Sequence, residues 1–211
     1  MGVIGVLPDG RVQPEKLAEV PVPKSLPPAE KLHWERVRGP WGTIIVCCSR
    51  KGVRQVRFAS TPKRRRREIW PKHDKTEPTE RPEGTEGTEK GARLAAQAAA
   101  QLAEYFAGQR RRFTLPLDLP GTPFERKVWR ALCQIPYGKT RSYREIARRI
   151  GNPRAARAVG MANHHNPVAI LVPCHRVIST DGTLGGYAGG IKKKARLLAL
   201  ERAATLRRPP R

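Results

Sequence analysis

A cysteine and a histidine stand side by side at Cys174 and His175, behind Pro173 and after an apolar run over 168–172. A thiol becomes a nucleophile as its thiolate, and a neighbouring imidazole or positive field favours that form. Side chains that succeed each other on a strand point to opposite faces, so His175 acts on Cys174 only across a turn or a bridging water. The pair therefore predicts a reactive thiol with its base. A buried structural cysteine beside an unrelated histidine is the open alternative.

Short helices with clear start signals precede this pair. Thr122 and Ser142 are each followed three residues later by a glutamate, and these two capping boxes predict two helix starts. An apolar stripe marks the buried face of the first helix: Phe124, Val128, Leu132 and Ile135. We expect Asn152 to cap a third helix that opens at Pro153. The second and third helices then form a helix-turn-helix, joined by a short turn that contains Gly151.

The chain after the third helix predicts the elements that position the thiol. The apolar residues 167–172 predict a strand that leads to Cys174. The Asp-Gly pair at 181–182 predicts a hairpin turn. Four glycines between 185 and 190 indicate a loop that backbone or ligand can approach closely. A last helix is expected at about 191–204.

The first half of the chain predicts a smaller unit. Residues 41–58 alternate like a β-hairpin around a Ser-Arg-Lys-Gly turn. Residues 92–107 are rich in helix formers and stop before Gly108. Residues 110–119 then predict a strand that leads into the second unit.

These elements divide the chain into a predicted order of segments. We expect a disordered tail over 1–30, because prolines are frequent there and periodicity is weak. An N-terminal α/β domain spans 31–118, and it contains a disordered basic and polar linker at about 60–91. A second domain, which contains the predicted helix-turn-helix and Cys174, spans 119–206.

Charge restricts the partners of the protein. The formal net charge is +24, and residues 120–211 hold 19 Lys and Arg against 4 Asp and Glu. Such an excess favours nucleic acid as partner, with an anionic membrane surface as the weaker alternative. No stretch is apolar enough to span a membrane, and the N-terminus has no secretory pattern. We therefore expect a cytoplasmic protein, or a nuclear one in a eukaryote.

The four cysteines carry little further chemistry. Their spacings match neither a zinc pattern nor a disulfide framework. We expect Cys47, Cys48 and Cys133 to pack as small buried hydrophobic residues. No metal site and no cofactor are predicted.

The sequence PCHRV at 173–177 lies between Asn-Pro-Val at 166–168 and Gly-Tyr-x-Gly-Gly at 186–190. Together these residues resemble the active-site signature of the O6-alkylguanine-DNA alkyltransferases. Three further stretches are similar to the same family: SYREIA (142–147), GNPRAARAVG (151–160) and LLALE (197–201). The resemblance covers residues 120–201 in order and residues 31–119 only loosely.

The resemblance implies a role for each residue of the reaction centre. Cys174 is the nucleophile that attacks the alkyl carbon on guanine O6. His175 is its base through a water, and Glu201 holds the histidine, in a relay similar to a hydrolytic triad. Tyr143 donates a hydrogen bond to the guanine ring, although without the family it reads equally as a core aromatic. Asn166 braces the hinge between the helix-turn-helix and the thiol, with an ordinary turn residue as the alternative.

The same resemblance implies a base pocket lined by Val177, Tyr187 and Ala188. Human-type members of the family have serine where this chain has Ala188. The backbone N–H is retained there, whereas a side-chain hydroxyl is missing. We therefore expect base recognition to persist, and the adduct preference stays open.

DNA handling follows from where the target atom lies. Guanine O6 is inside the duplex, so the nucleotide must be flipped out. The small side chains of Ala155, Ala156 and Gly160 suit a helix pressed into the narrow minor groove, unless they are routine packing residues. Arg157 is expected to fill the space in the base stack, with a phosphate contact as the alternative. Ser142 is a further expected DNA contact.

The sequence thus predicts an α+β protein. The resemblance implies a small ribonuclease-H-like N-terminal α/β domain and a C-terminal winged-helix-like domain with the helix-turn-helix. The predicted activity is suicide transfer of an alkyl group from O6 of guanine, with O4 of thymine as a second substrate, to Cys174. The partner is double-stranded DNA carrying O6-alkylguanine, bound by a monomer with no membrane. Two rivals remain: a non-catalytic binder of alkylated bases and a helix-turn-helix DNA-binding protein with a structural Cys174.

Overall fold

The computed structural model describes residues 31–59 and 89–206. The tail predicted over 1–30 and residues 60–88 of the predicted linker lie outside the described residues, so their predictions stay predictions. Within the described part of the chain, no helix is both long and apolar enough to cross a bilayer.

A three-stranded antiparallel sheet opens the described chain. Its strands are β1 (His33–Gly39), β2 (Gly42–Cys48) and β3 (Val53–Phe58), in the order β1-β2-β3. The predicted hairpin over 41–58 is confirmed as β2 and β3. Strand β1 was not predicted from the sequence, because five of its seven residues are polar or glycine and only Val37 is buried. Pairing with β2, and not an apolar pattern of its own, makes β1 a strand.

One long helix packs on this sheet. Helix α1 (Glu89–Phe106) starts three residues before the predicted 92–107, so 89–91 are helical and not linker. Small side chains on its buried face, such as Ala95 and Ala98, let the helix lie close to the strands. The helix ends as predicted before Gly108, which adopts a positive φ of 72°.

The strand predicted over 110–119 is wrong. Only Leu117 forms a single parallel bridge, with Val53 of β3. Val53 N–H donates to the Pro116 carbonyl at 2.8 Å, and Asp118 N–H donates to the Val53 carbonyl at 2.9 Å. Pro116 and Pro120 have no N–H to donate, so a longer ladder cannot form along this segment.

Four helices and a two-stranded parallel ribbon make up the rest of the described chain. The helices are α2 (Pro123–Cys133), α3 (Tyr143–Arg149), α4 (Ala156–His164) and α5 (Ile191–Leu206), and the ribbon pairs β4 (Arg141–Ser142) with β5 (Val177–Ile178). Both predicted capping boxes are formed, since Thr122 and Ser142 accept hydrogen bonds from the N–H groups of Glu125 and Glu145. Helices α3 and α4 pack together as the predicted helix-turn-helix.

The expected start of the third helix is wrong. Helix α4 begins at Ala156, and its N-cap, Ala155, makes no side-chain cap hydrogen bond. Asn152 and Pro153 instead belong to a turn, in which the Asn152 carbonyl accepts from Ala155 N–H at 3.0 Å. Asn152 N–H donates to the Ala147 carbonyl at 2.9 Å, so this residue closes the end of α3, and it lies three positions before the N-cap of α4.

The strand predicted over 167–172 is also wrong. Ile170 has a positive φ of 74°, which reverses the chain. Val172 N–H then returns to the Val168 carbonyl at 3.0 Å, and Val168 bridges to Val56 of β3. The apolar run is buried, as a strand would be, but it forms a tight turn. The turn predicted at 181–182 is present, with Gly182 at φ 85°, although no hairpin strand follows it among the described residues.

A continuous hydrophobic core joins the sheet, α1 and the C-terminal helices. Trp129 of α2 is almost fully buried, and its indole N–H donates to the Ala162 carbonyl of α4 at 2.7 Å. This bond fixes α4 against α2, which leaves the opposite face of α4 accessible. The predicted α+β class with a helix-turn-helix is confirmed.

Candidate active site

Cys174 and His175 lie in a short 3-10 turn, Cys174–Arg176, that directly follows Pro173. The turn replaces the strand end that the sequence predicted, and the backbone at Pro173 (φ −79°, ψ 60°) directs the chain into it. Both side chains point inward, since Cys174 is 4% exposed and His175 is fully buried. Because the two residues lie in a turn and not on a strand, their side chains do not have to point to opposite faces.

The environment of the Cys174 thiol keeps it protonated at neutral pH. Burial raises its pKa to about 11, although a hydrogen bond from the Asn166 side chain and the charge of Lys194 act in the opposite direction. A thiol with such a pKa needs a base at the moment of reaction. Asn166 and Lys194 are placed to favour the thiolate once it forms.

The His175 imidazole binds the carboxylate of Glu201. Its Nε2 lies 2.8 Å from Glu201 Oε1, and both residues are fully buried. Burial lowers the pKa of His175, which favours the neutral ring. A carboxylate only accepts, so Nε2 carries the proton and Nδ1 is left as an acceptor. His175 Nδ1 is buried and has no hydrogen-bond partner among the described residues.

Glu201 is held in its ionised form by an unusually complete set of donors. Burial alone would raise its pKa, but the hydrogen bonds and charges of His175 and Arg176 outweigh burial and lower the pKa to about 2. Gly138 N–H donates to Oε2 at 2.9 Å, and the Tyr105 hydroxyl donates to Oε1 at 2.7 Å. The carboxylate therefore stays charged and fixed at any physiological pH.

Arg176 is a residue of this network that the sequence analysis did not assign. Its Nε donates to Glu201 Oε2 at 2.9 Å, and its Nη1 donates to the Ile135 carbonyl at 2.7 Å. Its guanidinium lies over the Tyr137 ring, 5.5 Å from the centroid. Arg176 belongs to the PCHRV stretch, but nothing local in the sequence identifies Glu201 as its partner.

Lys194 was also missed. This fully buried lysine donates from Nζ to the carbonyls of Val177 at 2.6 Å, Gly186 at 3.4 Å and Leu184. Burial lowers its pKa to about 8, and the nearby Cys174 acts in the opposite direction. Lys194 thereby ties the loop after the thiol to α5. Its spacing to the buried residues of α5, seven before Glu201, was a signal that could have found it.

Asn166 braces the turn that leads to the thiol. Its Nδ2 donates to the Val172 carbonyl at 2.9 Å, and its Oδ1 accepts from Val168 N–H at 3.0 Å. These two hydrogen bonds hold together the two ends of the turn formed by residues 167–172. Together with the hydrogen bond to Cys174, they connect the end of the helix-turn-helix to the Cys174 sulfur.

Tyr143 and Tyr187 both lie close enough to Cys174 to interact with its charge. Burial raises the pKa of each phenol, and Cys174 raises it further. The Tyr187 hydroxyl is buried without a hydrogen-bond partner among the described residues. Gly185 has a positive φ of 62°, and a Cβ there would lie 3.2 Å from the Tyr143 hydroxyl, so only glycine fits comfortably.

The remaining predicted pocket and DNA residues are not all gathered at the thiol. Val177 is fully buried beside it in β5, whereas Ala188 is exposed in the glycine-rich loop. Gly160 faces the thiol side, because a Cβ built on it would lie 3.9 Å from the Tyr143 ring. Arg157 is exposed on α4. The Ser142 hydroxyl is engaged in its capping box, accepting from Glu145 N–H at 3.2 Å.

Ala155 and Ala156 are partly exposed at the start of α4. With Arg157 and Gly160 they form a surface of small side chains around one exposed guanidinium. We call this surface the α4 face. It carries few atoms beyond the backbone, so another molecule can approach the helix closely.

The other three cysteines lie on β2 and α2, outside the turn Cys174–Arg176. Cys47 and Cys48 are buried in β2, as expected. The expectation for Cys133 is wrong, because this residue is exposed at the end of α2, outside the stripe that contains Val128 and Leu132. Among the described residues, no group of three or more His, Cys, Asp or Glu side chains is arranged to hold a metal ion.

Two family models match the chain, and both carry the description 6-O-methylguanine DNA methyltransferase. The ribonuclease-like domain matches residues 32–119, and the DNA binding domain matches residues 123–203. The fold class implied by the resemblance is confirmed by these matches.

Several known proteins are similar to most of the chain. A methylated-DNA–protein-cysteine methyltransferase of Methanosarcina barkeri is 43% identical over 170 residues, which cover 81% of this chain and 97% of the relative. One of Mycolicibacterium paratuberculosis is 62% identical over 110 residues, which cover 52% and 67%.

Solved crystal structures are also similar to most of this chain. The crystal structure of Mycobacterium tuberculosis O6-methylguanine methyltransferase aligns with a TM-score of 0.65 at 42% identity, covering 85% of this chain and 96% of that chain. A crystal structure of the M. tuberculosis protein in complex with DNA gives the same TM-score over 82% and 94%. The chain belongs to the methylated-DNA–protein-cysteine methyltransferases, the family of the O6-alkylguanine-DNA alkyltransferases.

Proposed function

We propose that Cys174 is the residue of this methyltransferase that receives the alkyl group, and that each molecule acts once. Family membership makes the protein a DNA-repair enzyme that transfers an alkyl group from DNA to a cysteine. The observation that carries the assignment of Cys174 is its position next to a buried His175–Glu201 pair. Cys133 is exposed at the end of α2, and Cys47 and Cys48 are buried in β2, outside the turn that carries His175.

The reaction is a displacement at the alkyl carbon. The Cys174 sulfur forms a bond to that carbon while the bond between the carbon and guanine O6 breaks. The thiol proton passes through a water to His175 Nδ1, the acceptor that no described protein group occupies. The departing guanine takes up one proton at N1, in net terms the proton that left the thiol, which His175 passes on through water. The products are therefore a neutral guanine, a neutral His175 and a thioether. A thioether is a poor leaving group, which makes the transfer irreversible.

Glu201 acts as a positioning residue in this scheme. Its carboxylate accepts from Nε2 and so keeps the Nδ1 lone pair available. It also stabilises the imidazolium that forms when the proton arrives, as the carboxylate does in a hydrolytic triad. Burial makes this stabilisation strong, because few water molecules screen the charges.

The base pocket is proposed at the thiol, between Tyr143, Val177, Tyr187 and Ala188. Tyr143 keeps its proton because its pKa is raised, so it donates to guanine as negative charge develops on the ring. The Tyr187 hydroxyl has no hydrogen-bond partner among the residues that the structure describes, which supports a polar ligand on its side. Backbone groups of Val177 and Ala188 complete the recognition of the base, and O4-alkylthymine is a second candidate substrate.

The α4 face is proposed to enter the minor groove of duplex DNA. Its small side chains, Ala155, Ala156 and Gly160, permit close approach to a groove only about 6 Å wide. Arg157 then inserts into the stack and replaces the flipped nucleotide. Ser142 contacts the backbone near the start of α3. We propose that a monomer binds, in the cytoplasm.

Intact mass spectrometry tests the acceptor. The full-length protein is mixed with a duplex that carries one O6-methylguanine, and we expect one added methyl group per molecule. Peptide mapping should place it on Cys174. Cys174→Ala should show no addition, whereas the matched Cys133→Ala should react like wild type. Methylation of another residue would refute the assignment.

The same experiment addresses the two rival functions. Tight binding of the alkylated duplex without a mass change would favour a non-catalytic binder. Binding that does not distinguish an alkylated from an unmodified duplex, again without transfer, would favour a helix-turn-helix protein with a structural cysteine. The small side chains of the α4 face argue against the latter, since such proteins read base edges with polar side chains.

A further inference from the structure

We propose that Tyr105, on α1 in the first half of the chain, is a positioning residue for alkyl transfer, because its hydroxyl fixes the carboxylate that orients His175. The inference rests on the proposed roles of Cys174, His175 and Glu201. No motif near Cys174 contains Tyr105, which lies 96 residues before Glu201.

The hydroxyl reaches the same carboxylate oxygen as the imidazole. Tyr105 donates to Glu201 Oε1 at 2.7 Å, and His175 Nε2 donates to that oxygen at 2.8 Å. Arg176 Nη2 is a third donor to Oε1 at 2.9 Å. The tyrosine and the imidazole are thus neighbours on one atom, and any rotation of the carboxylate changes both bonds.

Packing alone does not account for a hydroxyl at this place. The Tyr105 ring is fully buried against Phe106 and Phe113, with centroids 5.5 Å away in both cases, and against Tyr137 at 6.0 Å. A phenylalanine would make the same ring contacts. The only atom that tyrosine adds is the oxygen that contacts Glu201, and a buried hydroxyl is costly unless it is bonded.

The Tyr105 hydroxyl stays protonated throughout the physiological pH range, so it remains a hydrogen-bond donor. Burial raises the pKa of Tyr105 well above its ordinary value, and the charge of Glu201 raises it further. Arg176 acts in the opposite direction, and Tyr137 adds to the rise. Tyr105 therefore always offers its proton to Oε1 and never competes with His175 as an acceptor.

Removal of the hydroxyl has a definite consequence for the imidazole. With one donor fewer, Oε1 attracts protons more strongly, so the pKa of His175 and that of Glu201 should both rise. Arg176 and Lys194 remain as the cations that act on His175 and oppose its protonation. A higher His175 pKa moves the acid limb of the reaction to higher pH, because only the neutral ring accepts the thiol proton.

Tyr137 offers a matched control. Its hydroxyl is buried like that of Tyr105, in the same aromatic cluster, yet it has no hydrogen-bond partner among the described residues. Tyr137→Phe removes an equal group that does not hydrogen-bond the carboxylate, and it keeps the ring that lies under the Arg176 guanidinium. A difference between the two Tyr→Phe variants therefore reports the bond to Glu201 and not the loss of a buried hydroxyl.

The test measures the rate of methyl transfer from an O6-methylguanine duplex against pH, with full-length protein. We expect Tyr105→Phe to slow transfer about tenfold, as the loss of a bond to a charged group implies, and to move the acid limb to higher pH. Tyr137→Phe should keep the wild-type rate and profile. In a Glu201→Gln background, Tyr105→Phe should cause no further loss, because it acts through that carboxylate.

Two outcomes would overturn the inference. One is a wild-type rate and pH profile in Tyr105→Phe. The other is an equal fractional loss in the wild-type and Glu201→Gln backgrounds, which would indicate a general effect on folding. Failure of the wild-type protein to methylate Cys174 in the same series would instead refute the proposed function, so the two failures are distinguishable.

Discussion

The Glu201 carboxylate is buried and fully hydrogen-bonded, whereas the α4 face is accessible and carries few polar side chains. Around Glu201 every polar contact is direct: the carboxylate is fully buried and accepts from Tyr105, Gly138, His175 and Arg176. The α4 face has an uncapped start, small side chains and an exposed arginine. Proton transfer needs fixed groups in a low dielectric, whereas a groove needs an accessible surface. The difference predicts that substitutions in the first region affect chemistry with any substrate, and those in the second only with DNA.

The largest effect is expected from Glu201→Gln. The amide keeps the size of the side chain but loses the charge, and it has one acceptor oxygen where the carboxylate has two. Its NH₂ group must therefore face a donor, either His175 Nε2 or the N–H groups of Gly138 and Arg176. Either orientation disturbs the support of the imidazole, and we expect transfer to slow about 100-fold or more, in the range that general-base catalysis supplies. Single-turnover kinetics with the duplex and with free O6-alkylguanine should show equal losses.

Glu104→Gln is the control for that variant. Glu104 is a partly exposed carboxylate on α1 that pairs with Arg110 at 2.5 Å, away from the thiol. The Glu104→Gln variant should transfer the methyl group at the wild-type rate. Unchanged transfer in Glu201→Gln would remove the carboxylate from the reaction.

Acid should remove the contribution of the Glu201 carboxylate to the free energy of unfolding. The pKa of Glu201 is lowered from 4.5 to about 2, so its contribution to stability is complete above pH 4.5 and is lost as pH falls towards 2. The expected loss is on the order of 3 kcal/mol. Urea unfolding of the wild type and of Glu201→Gln across this range should show their free energies of unfolding converge at low pH. A constant difference would contradict the lowered pKa.

Arg157 tests the other side of the comparison. Arg157→Ala should slow reaction with the alkylated duplex about tenfold or more, because the space left by the flipped base is no longer filled. Reaction with free O6-alkylguanine should be unchanged. Arg157→Lys keeps the charge without the planar group, so rescue by lysine would indicate a phosphate contact and not insertion. Equal losses with both substrates would refute the division between the two regions.

The smallest effect concerns the two capping boxes. Ser142→Ala and Thr122→Ala should each lower the free energy of unfolding by about 1 kcal/mol, since each removes one helix cap. Of these two residues, only Ser142 is proposed to contact DNA. Thermal unfolding should therefore show the same loss of stability in both variants, while DNA titration should show weaker binding for Ser142→Ala alone. Equal DNA affinities would remove Ser142 from the interface.

Local signals in the sequence were sufficient for much of the fold. The capping boxes at Thr122 and Ser142, the hairpin over 41–58 and the stop before Gly108 are all present, because each depends on contacts within a few residues. The strands predicted over 110–119 and 167–172 failed for the opposite reason. An apolar run indicates burial, but only its partners decide whether it pairs as a strand or turns back.

The sequence by itself was enough to predict the chemistry proposed for the site, through the adjacent Cys174 and His175 and the family motifs around them. Tertiary structure alone decided which groups stabilise that chemistry: Tyr105 from α1, Arg176 on Glu201, and Lys194 across the loop after the thiol. These contacts join positions far apart in the chain, and no local pattern encodes them. Burial gives them their strength, since a charge removed from water must be met by protein donors.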